Sequence, residues 1–497
     1  MRYQSTRGYQ DRASAAEAII EGIAPDGGLY VPAELFSPFE LDQLPANDYR
    51  ELAKTIFTPF LTGFENDDLN DALIKAYGPD KFDHPAVTPL HILDEELSVL
   101  ELWHGPTSAF KDIALQLLPY LMRLAIRQSG EEKEIVILTA TSGDTGKSAL
   151  EGFKNIPGII IIVYYPETGV SEIQKLQMTT QEGENVFVAA VKGNFDDAQN
   201  GVKSLFSDSR LAATLAGSGK RLSSANSINW GRLLPQIVYY FAAYLELVNR
   251  GLRSGEKVNF VVPTGNFGNI LAGYYAHRLG LPVNRLICAA NRNNVLSDFI
   301  GSGTYNCRRP LHQTLSPSMD ILVSSNLERL LFELSNRDAE LVNSWMGQLK
   351  QKGEYTVNDE VHQKIKELFW SSYADDQKTS ATIADVYNHH NYLIDTHTAV
   401  GRAVLADYWE QETDARPVVI LSTASPYKFT GSVTRAILGS RFNQDLSETE
   451  LIKVLADETG TTVPANLAGL EKMEIKHKQV IASSAMRDHL LKILGDG

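Results

Sequence analysis

Twice in this chain a run of β-branched and aliphatic residues stops at a glycine-bearing loop that opens into helix-forming sequence. The first is Glu134-Ile-Val-Ile-Leu-Thr139 followed by Thr141-Ser-Gly-Asp-Thr-Gly146; the second is Val258-Asn-Phe-Val-Val-Pro263 followed by Thr264-Gly-Asn-Phe-Gly268 and Asn269-Ile-Leu-Ala-Gly273. Continuous apolar runs of this length, alternating with helices, imply a mostly parallel sheet covered on both faces. The alternation continues, with strands expected over 97–102, 159–165, 185–191, 285–290 and 418–422 and helices over 112–128, 147–154, 171–182 and 231–250. In such an α/β fold ligands collect beyond the carboxyl ends of the strands, where both glycine loops lie. Residues 1 to about 90 carry helical patterns over 13–23 and 49–60 and read as an N-terminal helical module, while 325–415 reads as predominantly helical.

The loop at 264–268 has the parts of an anion site. Free N–H groups at a helix start, with glycines permitting close approach, suit a phosphate ester. Gly265-x-x-Gly268 is not the dinucleotide fingerprint, and Gly146-Lys147-Ser148 is not the end of a nucleotide loop, because Thr141 stands where its first glycine is needed. The segment His104-Gly-Pro-Thr-Ser-Ala-Phe-Lys111-Asp112 sets a lysine among small and hydroxyl residues beside Phe110 and the apolar Ile113-Ala-Leu115. Burial there favours the neutral, nucleophilic amine. Alone, this segment suits equally a surface lysine that opens an amphipathic helix. An imine-forming lysine together with a phosphate cup is what pyridoxal phosphate (PLP) requires.

Composition removes other classes. A chain of 497 residues has room for two or three domains. Its formal net charge of -15 disfavours nucleic acid and anionic membranes as partners, so an anionic substrate must be drawn by local groups. The two cysteines, Cys288 and Cys307, make no disulfide framework. The N-terminus lacks an apolar leader core and the apolar run at 159–165 is far short of a membrane span, so a cytoplasmic protein is expected. No Cys/His spacing fits a metal, the adjacent His389-His390 cannot share a helix face, and no G-x-S-x-G elbow occurs.

Beyond these motifs stand Ser5-Thr-Arg-Gly8, Glu21-Gly-Ile-Ala-Pro-Asp-Gly-Gly-Leu-Tyr-Val-Pro32, Ser224-Ala-Asn-Ser-Ile-Asn229, His397-Thr-Ala-Val400 and Thr423-Ala-Ser-Pro-Tyr-Lys-Phe429. Taken in order with the lysine segment and the two glycine loops, they resemble the long form of the threonine synthase family over most of the chain. In one respect the chain departs from that pattern. Many members have His and Ala in the last motif where this chain has Ser425 and Tyr427, so a role for a histidine there is not carried over.

The resemblance implies a fold type II PLP enzyme, similar to the tryptophan synthase β subunit, with two α/β subdomains enclosing the cofactor. It implies an N-terminal module over 1–90, a catalytic region over 91–430 with a smaller subdomain at roughly 105–225, and a C-terminal segment over 431–497. Lys111 would hold PLP as an imine and later move protons, Gly265, Asn266, Phe267, Gly268 and Asn269 would bind the cofactor phosphate, and Thr423 would meet the ring nitrogen. Ser142 and Thr145 would clasp the substrate carboxylate, and Asn226, Ser227 and Arg232 are candidates for a substrate phosphate, with no metal. Asp144 is expected to orient its loop, while His104 and His397 are not taken as catalysts. The implied reaction converts O-phospho-L-homoserine and water to L-threonine and phosphate, in a monomer or homodimer. The rivals are a related lyase or dehydratase releasing 2-oxobutanoate and a catalytically inactive PLP-binding protein.

Overall fold

The computed structural model describes residues 1–34 and 37–495. The aliphatic runs pair into two sheets whose central strands are almost wholly buried and whose edge strands are partly exposed. One has five parallel strands in the order Gln479–Ile481, Val186–Val191, Ile159–Pro166, Glu134–Ala140, Lys220–Ser223. The other has six, in the order Phe369–Tyr373, Val283–Ala290, Val258–Pro263, Val418–Ser422, Leu97–Glu101, Leu90–Ile92, parallel except for the last pair. At the centre of this sheet Val261 stands opposite Ile287 on one side and Ile420 on the other. The helix Trp230–Asn249 is buried around most of its circumference from Trp230 to Leu245, as an all-round apolar helix must be. Among the described residues no helix is long and apolar enough to cross a membrane.

The structure departs from the sequence expectations in four places. The N-terminal module contains a three-stranded antiparallel sheet, Ala13–Ser14, Arg2–Ser5 and Tyr30–Pro32, beside the helix Ala15–Glu21. Strands of two to four residues offer too few positions for an alternating pattern to register. The helix expected over 112–128 is two helices, Lys111–Leu115 and Leu118–Ser129. Pro119 lacks the N–H that would bond to the Leu115 carbonyl, so the ladder stops there and Lys111 heads a short separate turn. The helix expected from 147 starts at Asp144. Within 325–415 two strands occur, Glu354–Thr356 against Thr304–Asn306 and Phe369–Tyr373 at the edge of the six-stranded sheet.

Candidate active site

A cavity of about 880 Å³ is lined by the residues that follow three strand ends: Thr141 to Thr145 after Glu134–Ala140, Thr264 to Gly268 after Val258–Pro263, and Thr423 after Val418–Ser422. Lys111, Ser142, Thr145, Asn226, Ser227, Arg232, Gly265, Asn266, Phe267, Gly268, Asn269 and Thr423 all line it, so the structure brings every sequence candidate to one space.

The glycine loop is held open by its neighbours. Phe267 adopts a left-handed backbone (φ 63°), unusual for a bulky residue, and its buried ring packs 5.8 Å from that of Phe369. The helix Gly268–Arg278 starts next, leaving first-turn N–H groups without intrahelical acceptors. A Cβ on Gly265 would strike the Ser318 carbonyl at 2.9 Å, so protein packing alone excludes a side chain there. A Cβ on Gly268 would meet nothing nearer than 3.5 Å. Packing therefore leaves that space free at the cavity wall. The Asn269 side chain accepts from Tyr239 Oη at 2.5 Å and Tyr240 Oη at 3.1 Å, while its buried Nδ2 has no partner. An orphaned amide donor beside unspent backbone N–H groups fits the phosphate of PLP. Behind the loop, Asn326 donates to the Asn266 carbonyl through both its backbone N–H (3.2 Å) and Nδ2 (3.0 Å). Asn326 is itself fixed by Arg329, whose buried guanidinium also donates to the carbonyls of Tyr30 and Ile228.

Lys111 sits on a loop clamped from several sides. Thr107 donates its N–H and hydroxyl to the Asp112 carboxylate at 2.8 and 2.6 Å, Asn466 donates to the Gly105 carbonyl, and the Phe110 N–H donates to the Thr423 carbonyl. Among the described residues the Thr423 hydroxyl itself makes no hydrogen bond and lines the cavity. Lys111 Nζ lies 3.5 Å from Asp144 Oδ2. Burial, helped by the charges of Arg232 and Lys428, pushes the Lys111 amine below the ordinary lysine range even though Asp144 opposes this. Burial alone would raise the Asp144 pKa, but Lys428 and Lys111 hold it well below the usual carboxylate range.

Arg232 is 4% exposed, yet among the described residues no carboxylate lies within ion-pair distance of it. Its guanidinium donates to the Ala225 carbonyl at 2.9 Å and to the Thr145 hydroxyl at 3.2 Å. Burial pushes its pKa down to about 10. The residue stands in the first turn of Trp230–Asn249, which Asn229 caps. Asn226 and Ser227 lie on the loop entering that helix.

His397, which the sequence left between proton transfer and orienting a turn, lines the cavity, its Nδ1 2.8 Å from Asp395 and its Nε2 accepting from the Ser318 N–H, so it seats the loop at 317–319. Sequence reasoning missed that loop and Lys428. That loop carries no motif. Lys428 lay inside the quoted Thr423 to Phe429 segment, but only the fold brings it to Asp144, at 2.6 Å. His104 bridges Asp83 and Glu101 and does not line the cavity. The departing residues Ser425 and Tyr427 do not line it either: Ser425 caps its own turn, and Tyr427 Oη bonds Thr461.

Family models match almost end to end: the threonine synthase N terminus over residues 2–77, the pyridoxal-phosphate dependent enzyme model over 82–423, and the threonine synthase C-terminal model over 398–489. The chain is 42% identical to the threonine synthase of Pseudomonas aeruginosa over 96% of its own length and 98% of that protein. The PLP-bound threonine synthase of Brucella melitensis superposes with a TM-score of 0.86 at 39% identity, covering 99% of this chain and 98% of that one. The yeast enzyme gives 0.87 at 34% identity, covering 100% and 99%. On these matches the chain belongs to the threonine synthase family of fold type II, PLP-dependent lyases.

Proposed function

We propose that this enzyme converts O-phospho-L-homoserine and water to L-threonine and phosphate, the last step of threonine biosynthesis, with Lys111, the Gly265 to Asn269 cup, Thr423, Ser142, Thr145, Asn226, Ser227 and Arg232 as its working residues. One observation carries the reading: the cavity that holds a lysine and a phosphate cup also contains a buried guanidinium with no carboxylate partner. A buried unpaired charge costs several kcal/mol, which an incoming anion offsets. The cofactor supplies a single anion for the cup, so the second cation calls for an anionic group on the substrate.

In this reading the backbone N–H groups of Gly265 to Asn269 and the Asn269 amide hold the cofactor phosphate. Thr423 presents its hydroxyl to the ring nitrogen. PLP, when bound, supplies an electron sink that stabilises carbanions on the substrate. Ser142 and Thr145 donate to the substrate carboxylate. Arg232, with Asn226 and Ser227, holds the substrate phosphate, so that it leaves from Cγ into a site already bearing positive charge. With its Nζ free, the neutral Lys111 amine would remove protons from Cα and Cβ as phosphate leaves Cγ; one returns at Cγ and, after water has given its hydroxyl to Cβ, the other returns at Cα, while the water proton leaves with the phosphate. Water must be held off until the phosphate has left, which calls for a domain or loop to close over the site.

The same reading divides the chain at about residues 90 and 430, and has the enzyme cytoplasmic and monomeric or homodimeric, with no nucleic acid or membrane partner. The net charge of -15 and the lack of a membrane-length apolar helix among the described residues support this. The test is an incubation with O-phosphohomoserine that follows phosphate and threonine together. Equal release of both is expected. Phosphate with 2-oxobutanoate would point to the lyase or dehydratase, and full cofactor occupancy without turnover to an inactive PLP protein.

A further inference from the structure

Asp144 presents a puzzle for the proposed chemistry. It is the first residue of a helix whose start faces the expected carboxylate of the substrate, and a bare negative charge there would repel it. The structure shows how the charge is occupied. Oδ1 receives Lys428 Nζ at 2.6 Å and Gln174 Nε2 at 2.8 Å, whereas Oδ2 receives Ser318 Oγ at 3.1 Å and Lys111 Nζ at 3.5 Å. The two oxygens thus face two different lysines. Lys428 is fully buried and does not line the cavity, so it cannot touch substrate. Its ammonium's other contact is the carbonyl of Thr107, at 3.0 Å, on the loop that carries Lys111. One ammonium therefore joins the short turn after the six-stranded sheet, the helix start after the five-stranded sheet, and the loop between them.

We infer that Lys428 is a positioning residue for the reaction: it fixes the Asp144 carboxylate through Oδ1, so that Oδ2 stays ionised and aimed at the Lys111 amine whenever that amine is free of the cofactor. The inference rests on the functional reading only in taking Lys111 as the working amine. With Lys428 in place, Asp144 is compensated on its outer side and accepts a hydrogen bond on its inner side, which points the lone pair of Lys111 toward the cavity. Without it, an uncompensated buried carboxylate turns to the nearest remaining cation, Lys111, and holds it protonated. The other charged groups near this network are Arg232, which like Lys428 disfavours a charged Lys111, Asp112, which also feels Lys428, and Lys147, which feels both Asp112 and Lys428.

A double-substitution cycle on the PLP-saturated enzyme tests this, using Lys428→Met, Asp144→Asn and the pair. Because Lys428 acts through Asp144, each single change should lower kcat by about tenfold or more, and the pair should lose no more than Asp144→Asn alone. A second readout needs no turnover: the pH dependence of PLP capture by the apoprotein, followed by visible absorbance. Removing the Lys428 charge should move its midpoint upward by about one unit, and the change in the Asp144→Asn background should be smaller. If Lys428→Met alone does not fold, comparison of the pair with Asp144→Asn still decides. Losses that multiply, or a folded Lys428→Met with wild-type kcat and capture profile, would overturn the inference. Failure of the functional reading looks different: the wild type would make no threonine while the capture profiles still diverged.

Discussion

The two walls of the cavity are built from different materials. The wall beyond the six-stranded sheet offers backbone N–H groups, one orphaned amide and the Thr423 hydroxyl, and among its proposed contact residues, Gly265 to Asn269 and Thr423, there is no charged side chain. The wall beyond the five-stranded sheet and its neighbouring helix holds Asp144 and Arg232, with Lys428 behind. A permanently resident cofactor is met by fixed dipoles, which need no counter-charge when the site is being assembled. On the proposed assignment a substrate that comes and goes is met by the Arg232 guanidinium, whose desolvation is offset only while an anion is present. Lys111 lies between the two, on the loop that both walls clamp.

Substitutions can break this division or sharpen it. The largest effect should come from Lys111→Ala, which removes the residue shared by both walls. Turnover and the visible absorbance of the lysine-bound cofactor should both vanish, and borohydride reduction with peptide mapping should place the label on Lys111; a label elsewhere breaks the scheme. Next is Gly268→Val. The protein leaves 3.5 Å around a new Cβ, so the fold should survive while PLP retention, measured by cofactor titration, suffers more than substrate recognition. Normal PLP affinity would move the phosphate site off this wall.

On the opposite wall, Arg232→Ala should leave PLP bound and cost about 1.5 to 3 kcal/mol, or roughly 10- to 150-fold in kcat/KM for O-phosphohomoserine, mostly through KM. Arg232→Lys should restore only part, since an ammonium lacks the planar fork. Unchanged kinetics in the alanine variant would assign the substrate anion to another cation. The smallest effect concerns His104, outside both walls. Burial lowers its pKa, but Glu101 and Asp83 outweigh this and raise it above the ordinary value. A raised folded pKa means that its contribution is fully present below about pH 6.5 and fades as pH rises through the folded value. Denaturation at pH 5.5 and pH 9 should show the wild type losing more stability than His104→Gln across that window. Parallel losses would remove the ion pairs from the stability account.

The cofactor wall was more legible in the sequence than the substrate wall, for a physical reason. A strand, a tight glycine turn and a helix start are consecutive, so Val258 to Gly273 carries the cup in one stretch. Charge pairs are not consecutive. Asp144 and Lys428 follow strands of different sheets, and His397 reaches Ser318 only because a helix start meets a distant loop, so neither pairing leaves a local pattern. Arg232 could be named as an arginine three residues beyond the Ser224 to Asn229 motif, but that it has no carboxylate partner among the described residues is a property of the packed interior. At the N-terminus the helix was read and the short strands Arg2–Ser5 and Tyr30–Pro32 were not, because pairing across a turn, and no periodicity, defines them.

The buried Arg329 ties Tyr30, Ile228 and Asn326 together, and Asn326 in turn holds the carbonyl of Asn266 in the cup. The seat for the cofactor is therefore finished only when three distant stretches of chain have docked on one guanidinium. During refolding, helix content and even the sheets can form before that convergence, whereas PLP capture cannot. If PLP binds at the proposed site, recovery of its visible absorbance should therefore trail the far-ultraviolet signal and mark the end of maturation.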